Sequence, residues 1–230
     1  MKPRNSTFSQ IKCIPDSAYD EAERRAALLP IHPNSHRGEK ANLIGCLGEV
    51  LVENWMLTRE ITFESQLNNT KHDYRINGCL TLEIKTKDRT CRPRIEFDNS
   101  APMYNHMHQR PDYFLFVSLQ RDKRDTSMPF VRRFKTAFIV GGISYNELDR
   151  VGIPFLKDEE DWRNGTKFWT DCLNVEMWQL VPVSEMKDLL KGVLSRPRED
   201  AAINVKIIEE MRSRIAAGGL KSRKLPTESN

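Results

Sequence analysis

Cysteine is scarce in this chain, and none is paired at metal-ligand spacing. Cys13, Cys46, Cys79, Cys91 and Cys172 are five, an odd number, scattered over 230 residues without a Cys-x-x-Cys. This excludes a disulfide scaffold, and free thiols in a reducing cytoplasm are the expectation. Long apolar runs are missing as well. No stretch reaches the roughly 20 apolar residues of a membrane helix, and the opening Met-Lys-Pro-Arg-Asn-Ser lacks the apolar core of a secretory signal. Nor is charge of one sign in large excess: 36 Lys and Arg face 32 Asp and Glu, a net charge of +4. Composition alone therefore names no nucleic-acid partner; only local clustering of the basic residues can. The length suffices for one domain with a full hydrophobic core and a tail.

What the chain does have is the stretch Asp73 to Lys87, Asp-Tyr-Arg-Ile-Asn-Gly-Cys-Leu-Thr-Leu-Glu-Ile-Lys-Thr-Lys. Asn77-Gly78 takes the positive φ values of a tight hairpin turn. From Cys79 to Thr86 the residues alternate as a strand: Leu80, Leu82, Ile84 and Thr86 share one face, and Thr81, Glu83, Lys85 and Lys87 share the other. Glu83 and Lys85 thus project side by side, and Asp73, on the partner strand before the turn, can be brought near Glu83. By itself Glu-x-Lys reads equally as a solvated strand face with an ion pair. Two carboxylates and an ammonium on neighbouring strands also suit a hard divalent cation and a water nucleophile.

A helix is expected over 40–57, where Leu43, Leu47, Val50, Leu51 and Trp55 form an apolar stripe. Gly45 and Gly48 weaken it, as is tolerable where another backbone approaches closely. Glu49 and Glu53, four apart, lie on one face of this helix and read either as exposed carboxylates or as ligands.

With Asp73, Glu83 and Lys85 in this order and Glu49 on an upstream helix, the sequence resembles the PD-(D/E)xK nuclease superfamily over roughly residues 40 to 145. His72 stands where the motif's name has proline. The resemblance implies a restriction-endonuclease-like α/β fold, a central mixed β-sheet flanked by helices in the core order αβββαβ. It implies Asp73, Glu83, Glu49 and the carbonyl of Ile84 as metal ligands, Mg²⁺ as the cofactor with Mn²⁺ able to substitute, and Lys85 as the group that orients or deprotonates the attacking water. Compactness is similar to that of small phage or mobile-element nucleases. The expected function is a metal-dependent nuclease, an endonuclease on DNA. The alternatives are an exonuclease of the same superfamily and a non-catalytic nucleic-acid-binding or assembly protein that keeps the fold.

Lys87, Arg89, Arg92 and Arg94 follow the motif strand, and Arg124 and Arg132 lie in a second basic cluster between two apolar segments. All six are candidate phosphate contacts. His106 and His108 form a weak zinc signal and are assigned to the groove or the surface; Gln109 and Tyr113 match an exonuclease pattern that Pro111 interrupts, so the match is taken as accidental. The remaining expectations are an irregular lead-in over 1–15, a helix over 16–29 capped by Asp16, strands over 61–66, 95–97, 113–119 and 137–143, the last closed by Gly141-Gly142, a turn-rich region over 144–185, and helices over 185–194 and 200–217. The aromatic residues Trp162, Phe168, Trp169 and Trp178 are assigned to packing. The last helix carries Ile203, Ile207, Ile208, Met211 and Ile215 as a stripe buried either on its own domain or against a two-fold mate, which would make a homodimer. Residues 220–230 read as a disordered basic tail. The chain is thereby divided into an N-terminal extension over 1–39, the nuclease domain over 40–195, and a C-terminal helix and tail over 196–230.

Overall fold

The computed structural model describes residues 3–31, 38–66, 71–103 and 110–227. Its chain runs β1 (Ser9–Ile11), α1 (Asp16–Ala26), α2 (Glu39–Leu57), β2 (Phe63–Ser65), β3 (Tyr74–Ile76), β4 (Leu80–Arg89), β5 (Asp98–Pro102), β6 (Tyr113–Arg121), β7 (Phe134–Ser144), α3 (Tyr145–Val151), β8 (Ile153–Phe155), β9 (Glu160–Asp161), β10 (Thr166–Lys167), β11 (Cys172–Glu176), α4 (Val183–Leu190) and α5 (Val205–Ala216). The central sheet has six strands in the order β1-β7-β6-β4-β3-β2. β4 and β6 are parallel, and the other neighbours are antiparallel. The protein is α/β, with a mixed sheet flanked by helices.

Strand alternation divides the core. From β6, Leu115, Val117 and Leu119 join Leu82 and Ile84 of β4 and the apolar residues of α1 and α2. Phe114 and Phe116 point the opposite way, with Phe138 and Val140, toward Leu148 and Val151 of α3 and a second, three-stranded sheet of order β5-β11-β8. A strand covered on both faces needs apolar residues on both, which explains the unbroken run from Tyr113 to Val117; buried Ser118 has Arg89 as its hydrogen-bond partner.

α2 lies directly on β4. A Cβ at Gly48 would stand 1.9 Å from the Thr86 hydroxyl oxygen and 2.9 Å from two Thr86 carbons, so glycine is what lets the helix approach. Gly48→Ala is therefore expected to destabilise the protein by about 2 kcal/mol through overpacking, outweighing the gain of about 1 kcal/mol in helix propensity. Denaturant titration checks the sign: a more stable variant would show that the helix and strand can part without cost.

Several expectations are corrected. The lead-in supplies an edge strand, β1, whose Ser9 pairs with Ile139 of β7. Pro15, not Asp16, is the cap residue of α1, and Asp16 is its first helical residue. Gly141-Gly142 does not close a strand; it lies within β7 at a register shift, with Gly141 at φ 130°. There a Cβ would come within 2.6 Å of the Val181 carbonyl oxygen. Residues 95 and 96 form a turn, and the strand begins only at Asp98. No helix is present between β4 and β6 among the described residues; β5 and the second sheet cover that face instead.

The last helix settles its own question. Ile207, Ile208 and Met211 are buried with Ile153, Phe155, Phe168 and Cys172, and Ile203 and Ile215 pack beside them. The stripe is thus used within the chain, so a homodimer has no free apolar face here. The tail is held too: Leu220 and Leu225 pack against the same cluster, and Arg223 forms a buried ion pair with Glu159. Residues 228–230 lie outside the described set. Trp162 and Phe168 pack as expected, while Trp169 is 46% exposed. Among the described residues no helix is long and apolar enough to cross a membrane.

Candidate active site

The site forms where β3 and β4 part. Asn77 and Gly78, at φ 49° and 72°, turn the chain between them, and pairing runs from Ile76–Leu80 to Tyr74–Leu82. Asp73 continues the ladder by donating its N–H to the Leu82 carbonyl at 3.1 Å. Its side chain then takes over: the Oδ2 accepts the Ile84 N–H at 2.7 Å. In an extended strand a residue's N–H and C=O leave the same edge, so the Ile84 carbonyl lies on Asp73's side of β4.

Glu83 and Lys85 stand beside Phe114 and Phe116 in the parallel register. The Lys85 ammonium donates to Glu83 Oε1 at 2.5 Å. Glu83 is 3% exposed, and its Oε2 has no hydrogen-bond partner. A buried carboxylate oxygen left in this state costs free energy unless a cation or donor reaches it.

Glu49 approaches from α2. Withdrawal from water pushes its carboxyl up to about 7; Arg25 opposes the rise, and Glu83 and Glu53 add to it. Asp73 is raised well above the ordinary carboxylate range, first by desolvation and then by the charges of Glu83 and Glu49, with Lys85 and the Ile84 N–H opposing. Asp73, Glu83, Lys85 and Glu49 therefore share one electrostatic neighbourhood although they come from three segments. Glu53, equivalent to Glu49 in the helical pattern, is spent elsewhere. It takes both guanidinium nitrogens of Arg25 at 2.7 Å and the Tyr74 hydroxyl at 2.9 Å.

The expected cation ligands are neighbours without being a finished cage. Among the described residues no group of three or more His, Cys, Asp or Glu side chains stands ready to hold a metal ion. In the bonds above, Lys85 holds one Glu83 oxygen and the Ile84 N–H holds one Asp73 oxygen. The donor set nevertheless fits a hard cation, because clustered carboxylates that raise one another's pKa and an unpartnered buried oxygen are what such an ion relieves.

The basic residues divide by placement. Lys87 lines a cleft of about 260 Å³ together with Lys85, Thr86, Asn99, Ser100 and Phe116. Burial and then Arg89 push the Lys87 pKa down, while Asp98 pulls it up. Arg89 itself turns inward, donating to the Ser118 hydroxyl at 3.0 Å and the Asp98 carbonyl at 2.6 Å and lying 5.2 Å from the Phe97 ring centre. It braces the two sheets against each other through these bonds. Arg92 and Arg94 are exposed, over the rings of Phe138 and Phe97 at 5.6 and 4.9 Å. Arg124 has a side chain 93% exposed. Arg132 is held on α1 by Asp16 at 3.1 Å and by Asp20, beside the Tyr19 ring. Both acids are themselves exposed to solvent. His106, His108 and Gln109 lie outside the described residues.

Two residues of the neighbourhood escape a reading of the sequence. His72 is buried, and its Nε2 has no partner; in the sequence it is noticed only as a departure from the motif's proline. Asn99 sits in a strand, Asp-Asn-Ser-Ala-Pro, whose composition reads as a loop. No protein-family model, curated protein or solved structure matches the chain.

Proposed function

We propose that the protein is a metal-dependent nuclease, acting as an endonuclease on DNA. One observation carries this reading: Asp73, Glu83 and Lys85 meet at the parting of β3 and β4, with Glu83 Oε2 buried and unpartnered. The succession α2, β2, β3, β4 and β6, with β4 and β6 parallel, supports the restriction-endonuclease-like form of the α/β fold. Asp73, Glu83, Glu49 and the Ile84 carbonyl would hold Mg²⁺, with Mn²⁺ able to replace it. When bound, the ion supplies Lewis-acid polarisation of the phosphodiester and lowers the pKa of a coordinated water.

The chain's own residues do the rest. Lys85, released from its bond to Glu83 Oε1, keeps an ammonium beside the reacting phosphate, where it orients water and offsets charge growing on the phosphoryl oxygens. The Ile84 N–H holds one oxygen of the Asp73 carboxylate in place. Glu49 adds negative charge from α2. Exposed Arg92, Arg94 and Arg124 supply sequence-independent attraction for the backbone.

Purified protein incubated with supercoiled, linear and branched DNA provides the test. Conversion of supercoiled DNA to nicked or linear forms with Mg²⁺ or Mn²⁺, and none with EDTA, is the expected result. Intact DNA of all three forms with either ion would overturn the reading.

A further inference from the structure

The cleft beside Lys85 contains a donor that the chemistry above does not use. Asn99 is 2% exposed, and its Nδ2 has no hydrogen-bond partner. It lies on the same face of β5 as Ala101, which is buried against Phe114 and Phe116 of the central sheet. Asn99 thus faces the space into which Lys85 and Lys87 of β4 also project, and all three line the same cleft with Ser100. A buried amide donor is costly to leave unsatisfied, and a cleft that gathers two ammonium groups and such a donor is suited to a small oxyanion. The carboxylates nearby have cations of their own: Asp88, which also lines the cleft, lies 3.5 Å from Arg121, and Asp98, whose charge also acts on Lys87, accepts from Arg163 at 3.0 and 3.1 Å.

We propose that Asn99 and Lys87 form a phosphate subsite that takes the backbone phosphodiester next to the one cleaved. This rests on the nuclease reading for its place in the reaction, but the binding chemistry is its own. Lys87 follows Lys85 by two residues on the same strand face, a separation of about 6.6 Å. That is close to the spacing of successive phosphates along an extended nucleic-acid strand, so one backbone can present one phosphate to each lysine. Asn99, reaching across from the second sheet, donates to the phosphate held by Lys87. A neutral donor in a buried position adds orientation without adding to salt sensitivity, whereas Lys87 adds both.

The experiment is fluorescence anisotropy of a short labelled DNA duplex with the full chain in EDTA, so that no strand is cut. Asn99→Asp, which keeps the shape but removes the donor and adds negative charge, is expected to weaken binding by about tenfold or more. Lys87→Gln is expected to weaken it similarly and to make the slope of log affinity against log salt shallower by about one. Asn99→Ser should weaken binding while leaving that slope unchanged. Folded Asn99→Asp and Lys87→Gln variants, with unchanged circular dichroism, that bind like the wild type would overturn the subsite. Should Asn99→Asp not fold, Lys87→Gln and its salt slope decide alone. Inorganic phosphate is the competing probe: if it occupies the cleft while duplex affinity is indifferent to both substitutions, the backbone assignment falls. The two readings fail separately. Wild-type protein that cuts DNA with Mg²⁺ while Asn99→Asp binds unchanged removes the subsite and keeps the nuclease; Asn99-dependent binding by a wild type that never cuts does the reverse.

Discussion

Lys85→Ala is expected to slow DNA cleavage by roughly 10²- to 10⁴-fold, the range for a positioned group acting on a proton or developing charge. Its effect on divalent-ion binding should have the opposite sign. Lys85 occupies Glu83 Oε1, so removing the ammonium frees an oxygen and takes a positive charge from the ion's surroundings. Glu83→Gln and Asp73→Asn should instead lose both binding and cleavage. Isothermal titration with Mn²⁺, beside single-turnover cleavage, separates the cases. If Lys85→Ala cuts at the wild-type rate, the role passes to another group. Undiminished Mn²⁺ binding by both carboxylate variants would remove the metal assignment.

The second large effect is on stability, and it depends on pH. The Glu49 carboxyl is raised from its ordinary value of 4.5 to about 7, first by desolvation. A carboxyl with a raised pKa in the folded protein binds its proton more tightly there than in the unfolded chain. Its contribution is fully present below about pH 4.5 and is lost as pH rises through about 7. By linkage, that loss is about 3 kcal/mol between the two limits, and Asp73, shifted in the same direction, adds to it. Metal-free protein should accordingly lose stability from pH 5 to pH 8 by more than ordinary surface groups explain. Glu49→Gln should remove much of that slope and stabilise the metal-free protein at pH 8. Mg²⁺ should raise the melting temperature of the wild type more at pH 8 than at pH 5, since only the ionised carboxylates attract it. Chemical denaturation at several pH values gives the slope directly, and a wild-type profile no steeper than that of Glu49→Gln would rule out a strained Glu49.

The site shows where local sequence information reaches and where it stops. The hairpin and the alternation of β4 were legible because both depend on neighbours in the chain: Asn77-Gly78 selects the turn, and period-two alternation puts Glu83 beside Lys85. Glu49 and Glu53 were indistinguishable, because each satisfies the same helical spacing. What separates them is Arg25 on α1 and the Tyr74 hydroxyl on β3, both of which go to Glu53. Likewise Arg89 and Arg132 look in sequence like their neighbours Arg92 and Arg133; Ser118, the Asp98 carbonyl, Asp16 and Asp20 give them their structural roles.

The elements missed share one physical cause. β5, β8 and β11 carry Asp98, Asn99, Asn174 and Pro154, residues with poor strand propensity. They become strands because Arg163 satisfies Asp98 of β5 and Glu176, its partner on β11, and because Phe114, Phe116 and Phe138 need cover on that face. The apolar stripe of α5 was visible at once, yet a stripe specifies only that it must be buried. Phe155, Phe168 and Cys172 supply that burial within the chain. Sequence alone thus determined the central strands, the two long helices and the pairing of Glu83 with Lys85, since turn chemistry and side-chain period act over a few residues. Only the tertiary structure decided which Glu faces the site, which arginines are spent on the fold, and that Asn99 opens into the cleft, because each depends on partners far away in the chain.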